Sequence, residues 1–421
     1  MAGRWAVWGA AIFLVYTAFI YWYLYGGADA GIPAGLKGTS ADPATFLTDR
    51  ELKISTEYSS IRNFLFFVSA PLEWAVYLFL LLAGLPRLIE RWAGASVKNR
   101  ILQGAVFTFW FTGITYILTW PIGYIGYRLS RKYNISTQGF PSWMKDELIG
   151  FWLQFFLMCT VVIVLYWLIR KFGKRWWLYA WLLTIPFTLF LMFIQPVVID
   201  PLYNDFYPLK DKKLEGEILK LAAKADIPAE HVYEVNMSEK TNSMNAYVNG
   251  IGSNSRIVLW DTTLGKLGEK EILFIMAHEM GHYVEKHLYI GIAGYLLLSL
   301  AGLWLVSRLL SYAVQKWGSI LKVESVGSLS SFPLILLLFS VLSFASSPLS
   351  NAAARYQEMR ADRYAIEMTK DKEAGITSFQ ELTRSGLSQV NPPYLVKLFR
   401  YTHPTMIERI SMLQDWEEKQ K

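Results

Sequence analysis

Cysteine occurs once in this chain, at Cys159, so neither an intramolecular disulfide nor a cysteine-ligated metal site can be built from it. The thiol lies inside the apolar run FWLQFFLMCTVVIVLYWLI, 151–169, where a buried and inert side chain is expected. Charge is scarce as well. Only 18% of the 421 residues are Asp, Glu, Lys or Arg and 53% are hydrophobic, whereas soluble domains average about 25% charged. That shortage excludes an ordinary water-exposed globule and leaves a chain with much lipid-facing surface. Sequence repeats and low-complexity tracts are absent. The net charge of +7 comes from 41 basic against 34 acidic residues. A nucleic-acid-binding protein would gather its cations on one face, but here they form short clusters beside apolar runs, such as RKFGKR, 170–175. The expected partner is therefore the lipid bilayer with its anionic headgroups, and no nucleic acid.

What is present in quantity is apolar length. A bilayer core takes about 20 apolar residues per helix, and seven segments approach that: 5–25, 64–85, 101–126, 148–169, 177–197, 288–309 and 329–347. Trp and Tyr crowd their ends, as at Trp22, Tyr23, Trp176 and Trp177, in the manner of interfacial anchors. The seventh is the shortest and is rich in serine. The first has Arg4 before it and Ala28-Asp29-Ala30 after it, like a signal peptide. Its apolar stretch outruns the roughly 7–15 residues of a signal core and is heavily aromatic, so it reads as a retained membrane helix.

Two regions break the apolar pattern. In the first, 200–287, KLEGEILKLAAKADI repeats apolar residues at helical spacing, and HVYEVNM and SRIVLWD read as strands around the turn-rich NGIGSNS. A small α+β soluble region, with a hairpin packed on helices, is expected there. The second, 350–421, reads as helical. The organisation expected is thus a membrane region 1–199, a soluble region 200–287, two further membrane helices within 288–349, and a C-terminal helical part, 350–421.

The first polar region ends in FIMAHEMGHYVEKH, 274–287, and runs directly into an apolar segment. On a helix His278 and His282 are i and i+4, so both imidazoles leave one face and can hold a single zinc ion. Glu279 lies one step around, where its carboxylate can take the proton of a metal-activated water. Chance placement on an ordinary helix would give the same letters, but the chain holds only five histidines. A catalytic zinc needs a third protein ligand. Glu358, in RYQEMRAD just after the last apolar segment, is the best candidate, and Asp362 follows at i+4, where it can hold a ligating imidazole. A solvated charged helix face would otherwise explain EMRADR.

With these residues the chain resembles the integral-membrane zinc metalloproteases typified by the type I CAAX prenyl endopeptidase, with HtpX proteases as more distant, gluzincin-like relatives. The resemblance spans about 196–413 and rests on PVVIDPLYNDFYPL, NAYVNG with RIVLWDTTL, HEMGH, EMRAD and HPTMIERI in that order. It implies a mainly α, polytopic fold of about seven transmembrane helices enclosing a chamber, with a zincin-like α+β metalloprotease domain. It implies one zinc ion per chain on His278, His282 and Glu358, with Glu279 as general base and Asp362 behind a ligand. Asn245 and His403 match residues placed near the substrate and the developing oxyanion. Arg409 matches an arginine that is structural or substrate-orienting, a choice left open. His287 has a counterpart but receives no ligand role. Ala354 stands where the family often has serine, and Asn351 is retained.

The function expected is zinc-dependent hydrolysis of peptide bonds in membrane-associated peptides or proteins, lipidated or unlipidated. The competing reading is a polytopic transporter or channel with an incidental metal site, because Glu73 falls inside the second apolar segment. It leaves unexplained why the ligand set clusters in the polar regions. Two spans separate HEMGH from EMRAD, which puts both on one side. The opposite side carries the basic loops RLIERWAGASVKNR and RKFGKR, which argues for a cytoplasmic location of those loops. The resemblance implies instead a cytoplasmic active site, in the cell membrane of a bacterium or an endoplasmic-reticulum-type membrane of a eukaryote, and the near balance of charge between the two sides leaves that expectation standing.

Overall fold

The computed structural model describes residues 2–249 and 256–416. The expected turn NGIGSNS falls, apart from Asn249, outside the described residues. Ala2–Trp22 (α1) forms the first apolar helix. Its Tyr16 hydroxyl donates to the Phe67 carbonyl at 3.0 Å and Ile20 packs with Phe67 and Val396, so it is held against the bundle. Asp49–Ala83 (α2) starts at a capping box between Thr48 and Glu51 and stops at Gly84, whose φ of +79° lies in the left-handed region that favours glycine. It begins well before the apolar segment, so its polar first half stands beyond the lipid core. Leu85–Ser96 (α3) is short and amphipathic, and Arg100–Lys132 (α4) starts at an Asn99 cap. Phe140–Phe172 (α5) and Trp176–Ile194 (α6) are separated at Gly173, φ +53°.

Six helical runs among the described residues are long and apolar enough to cross a membrane. The fourth, Phe140–Tyr203, holds both α5 and α6, which carry the fourth and fifth expected segments, so all seven segments fall on helices. A helix of 33 residues such as α5 is about 50 Å long at 1.5 Å per residue. That exceeds a core of about 30 Å, so the helix ends project. At one end of the bundle, Glu90 of α3 accepts from the Leu329 and Ser330 amides at 2.7 and 3.0 Å, Lys322 donates to the Ala83 carbonyl, and Arg87 pairs with Glu324. The soluble domain sits on the other end, where Thr137 donates to the Ser238 carbonyl and Lys240 meets Asp146 at 2.6 Å. Within the bundle, a cavity of about 250 Å³ is lined by Glu73, Tyr77, Thr112, Tyr116 and Gln154. Glu73 accepts from the Tyr77 and Ser340 hydroxyls there, which satisfies the intramembrane carboxyl locally.

The soluble domain begins with one helical turn, Asp200–Tyr203 (α7), then Phe206–Pro208 (β1), Lys212–Lys224 (α8), Val232–Val235 (β2), Ala246–Asn249 (β3) and Arg256–Trp260 (β4). The strands form one sheet in the order β1-β2-β4-β3. β2 and β4, the two strands read from HVYEVNM and SRIVLWD, pair in parallel, with Val232 opposite Ile257, and so do not form a hairpin with each other. The antiparallel partner of β4 is β3, a strand not singled out in the sequence, with Ala246 opposite Leu259. β3 is an edge strand. Asp261–Lys266 (α9) leads into Glu269–Val284 (α10), the helix of HEMGH. His287–Leu321 (α11) then returns into the membrane, and Phe332–Thr369 (α12) comes back out. Lys372–Gly386 (α13), Tyr394–Phe399 (α14) and Met406–Asp415 (α15) complete the chain.

One apolar core joins these pieces. Ile218 of α8, Leu259 of β4, Phe274 and Met276 of α10, Ile366 of α12, Phe379 of α13 and Ile410 of α15 are all 2% exposed or less. Burying such a side chain contributes about 1.5–3 kcal/mol. The core thus fixes α10 between the sheet, α12 and the C-terminal helices. α12 runs unbroken from the membrane through Glu358 and Asp362, so it crosses the 349/350 division expected from the sequence.

Candidate metal centre

Two helices supply the expected ligand set. The Nε2 atoms of His278 and His282, one turn apart on α10, face each other at 3.2 Å. From α12, Glu358 places Oε2 3.2 Å from His278 Nε2 and Oε1 3.4 Å from His282 Nε2. A tetrahedral zinc ion with bonds of about 2.0–2.1 Å sets neighbouring ligand atoms about 3.3–3.4 Å apart. The two Nε2 atoms stand at about that spacing, and each has a Glu358 oxygen near it, Oε2 for His278 and Oε1 for His282, so that one atom from each residue lies within 4.8 Å of the others. Glu358 Oε2 is buried without a hydrogen bond, an arrangement that costs free energy unless a cation answers it. Among the described residues this is the group of His, Cys, Asp and Glu side chains whose ligand atoms converge, all within 4.8 Å.

Gly281 lets the two helices come this close. A Cβ there would lie 3.1 Å from Tyr364 Cβ and 3.2 Å from the Ala361 backbone of α12. The glycine inside HEMGH therefore sets the distance from the histidines to Glu358.

The outer nitrogens of both imidazoles are also held. His278 Nδ1 lies 2.7 Å from Asp362 Oδ1, and the fully buried Asp362 accepts both Arg409 Nε at 2.8 Å and Nη2 at 2.6 Å. An Nδ1–H donated to Asp362 leaves the Nε2 lone pair for a metal. Burial acts to lower the His278 pKa, but Asp362 and Glu358 outweigh it and raise it to about 9. Burial likewise works against the Arg409 cation, and Asp362 reverses the effect and raises its pKa. Arg409 thus touches the carboxylate behind the site, is itself 5% exposed, and also lines the cavity beside it.

His282 has a matching arrangement that sequence reasoning missed. Its Nδ1 lies 3.0 Å from His287 Nδ1, and His287 Nε2 lies 3.3 Å from Glu285 Oε2. Arg360 of α12 in turn donates to Glu285 Oε1 at 2.8 Å. Lys286, in the left-handed region at φ +58°, ends α10 and swings His287 back onto His282. Residue spacing along an unbroken helix gives no sign of that contact.

A cavity of about 410 Å³ opens beside these groups, lined by Asn245, His278, Glu279 and His403. Burial raises the Glu279 pKa, while His278 and His282 pull it down. Asn245, just before edge strand β3, accepts the Ala246 amide on its side-chain oxygen at 3.0 Å. His403 places Nε2 3.4 Å from Glu358 Oε2 and Nδ1 3.0 Å from the Thr402 hydroxyl. Burial lowers its pKa, against the pull of Glu358. All seven residues singled out in the sequence therefore gather at one place. The same cavity is also lined by Ser59, Arg62 and Asn63 from the projecting end of α2 and by Arg400. These lie outside the matching motifs, and only the tertiary packing of α2 on the C-terminal helices brings them in.

Comparison with known proteins agrees with this geometry. Residues 208–417 match the model of peptidase family M48, and residues 34–205 match that of the CAAX prenyl protease N-terminal region, five membrane helices. An uncharacterized metalloprotease of Bacillus subtilis, YhfN, is 55% identical over 97% of this chain and 96% of its own. The human CAAX prenyl protease 1 homolog is 26% identical over 80% of each. The crystal structure of S. mikatae Ste24p has the same fold, with a TM-score of 0.81 and 20% identity over 97% of both chains. The chain belongs to peptidase family M48 and is a multi-pass membrane metalloendopeptidase. The transporter reading is set aside.

Proposed function

We propose that this M48 metalloendopeptidase holds zinc on His278, His282 and Glu358 and cleaves peptide bonds of membrane-associated substrates, with Glu279 as general base. The observation that carries the proposal is the convergence of His278, His282 and Glu358, with ligand atoms within 4.8 Å of one another, beside a cavity lined by Glu279. Zinc bound there supplies Lewis acidity, which acidifies the attacking water and polarises the scissile carbonyl.

The chain's own residues do the rest. Glu279, whose raised pKa brings it toward the operating pH, takes the proton from the attacking water and passes it to the leaving amine. Asn245 and His403 flank the cavity and donate to the oxygen on which negative charge develops. Burial lowers the His403 pKa, which favours the neutral ring, and a Thr402 hydroxyl that donates to Nδ1 would leave the ring proton on Nε2. Met244, Asn245 and Ala246 line the cavity at the start of edge strand β3, so a substrate peptide can add to the open edge as a further strand. The names of several relatives, CAAX prenyl protease 1 homologs, support prenylated proteins as one substrate class.

Metal analysis with a cleavage assay tests the proposal. The protein should hold about one zinc per chain, and o-phenanthroline should remove it together with casein or peptide cleavage. Glu358→Ala should lower zinc content. Full zinc content in that variant would mean a different third ligand. On the family resemblance we place the metal centre on the cytoplasmic side, although the other end of the bundle carries Arg87, Arg91, Arg170 and Lys174. A cysteine introduced at the exposed Lys220, in a Cys159→Ser background, should resist an impermeant maleimide until cells are lysed.

A further inference from the structure

The cavity that holds Glu279 and His403 contains two cations that no carboxylate among the described residues pairs with. Arg62, exposed on α2, and the partly buried Arg400, just after α14, both line it. Arg409, in the same wall, is neutralised by the two oxygens of Asp362. Among the described residues no Asp or Glu forms an ion pair with Arg62 or Arg400. The partners they do have are neutral. Arg400 Nη1 donates to the Asn63 carboxamide oxygen and its guanidinium stands 5.7 Å from the Phe66 ring centre, while that of Arg62 stands 5.4 Å from the Tyr58 ring centre.

Such a pair is unfavourable by itself. Burial, and after it the like charge of Arg62, lowers the Arg400 pKa to about 10. Asn63 and Arg355 nevertheless fix the segment in place, the latter donating to the Lys397 and Tyr401 carbonyls at 2.9 and 2.8 Å. An anion between the guanidiniums relieves the repulsion, and the planar fork of arginine matches a carboxylate.

We infer that Arg62 and Arg400 form a carboxylate-binding subsite in the peptidase cavity, which takes a carboxylate of the bound peptide and selects substrates that carry one. The inference rests on the cavity being the peptidase site. A peptide offers that group either as its terminal α-carboxylate or as an Asp or Glu side chain.

Three peptides of one cleavable sequence separate these sources: the free acid without acidic side chains, its C-terminal amide, and an amide with Glu downstream of the scissile bond. Zinc-loaded full-length protein should cleave at least one charged peptide with kcat/KM roughly 10–100-fold above the neutral amide, the range of a charge-assisted contact. The charged peptide that carries the preference identifies the source. In Arg62→Gln and in Arg400→Gln the ratio should fall to about one, and Arg62→Lys should restore part of it. Arg62 is exposed, so its variant keeps the test open if Arg400→Gln folds poorly. The same peptides, fluorescently labelled, are also titrated against Glu279→Gln. Equal cleavage and equal affinity for all three, or a preference that survives both Gln substitutions, would overturn the inference. Failure to cleave any peptide would count against the peptidase reading, and the affinity ratio would still decide the subsite.

Discussion

The Nδ1 atoms of His282 and His287 stand 3.0 Å apart, although a helix break separates the two residues. Because His287 Nε2 reaches Glu285, a proton donated from His282 Nδ1 is accepted by a ring whose other nitrogen is anchored. This leaves His282 Nε2 unprotonated toward the metal, as Asp362 does for His278. His287→Ala should therefore weaken zinc binding about 10–100-fold, the usual effect of removing such a partner, while helix content stays unchanged. Competition against a chelator measures it. Unchanged affinity would make the contact incidental.

Zinc uptake should depend on pH through His278. With its pKa raised to about 9 in the metal-free protein, the imidazole is protonated at pH 7, with Nδ1 2.7 Å from Asp362 and Nε2 3.2 Å from Glu358. Zinc must displace the Nε2 proton, so affinity should rise about tenfold per pH unit and level off near pH 9. In the metal-free protein the same raised pKa stabilises the fold fully below about 6.5, and this contribution is lost as pH rises through about 9. Zinc titrations from pH 6 to 10 in metal buffers read the first effect. A flat profile between pH 7 and 9 would refute it.

Gly281→Ala should injure the site without touching a ligand. The new methyl would press on Tyr364 and the Ala361 backbone at 3.1–3.2 Å and move α12, with Glu358, away from the histidines. Overpacking of this kind costs about 1–3 kcal/mol. Thermal unfolding and zinc affinity should both fall. An unaltered zinc affinity would mean that the interhelical distance is not set at Gly281.

Much of this architecture can be read from the sequence, and the remainder depends on chain reversals and packing. Hydrophobic length places all seven expected segments on apolar helices because lipid imposes it on the residues directly. The pairing of His278 with His282 is legible because one helical turn fixes it. Glu358 and Asp362 lie on a single helix at i and i+4, but their approach to α10 depends on Gly281 and on a core shared with the sheet and the C-terminal helices. The helix break at Lys286, a lysine in a left-handed conformation, carries no residue signal of the kind glycine gives. That is why the contact of His287 with His282 is invisible in the sequence. Arg62 and Asn63 are similar: they read as the polar approach to a membrane helix until α2 is packed against Arg400.

The central claim is that Glu279 moves the proton in a reaction for which His278, His282 and Glu358 hold the metal. Glu279→Gln keeps the shape of the side chain but cannot accept that proton. The decisive measurement is peptide cleavage by Glu279→Gln and wild-type protein, purified and reconstituted side by side, with zinc content determined on the same samples. The account predicts equal zinc in both and a loss of about 10²–10⁴-fold in kcat for the variant, the usual worth of a general acid–base group. Near-normal cleavage by zinc-loaded Glu279→Gln would contradict it.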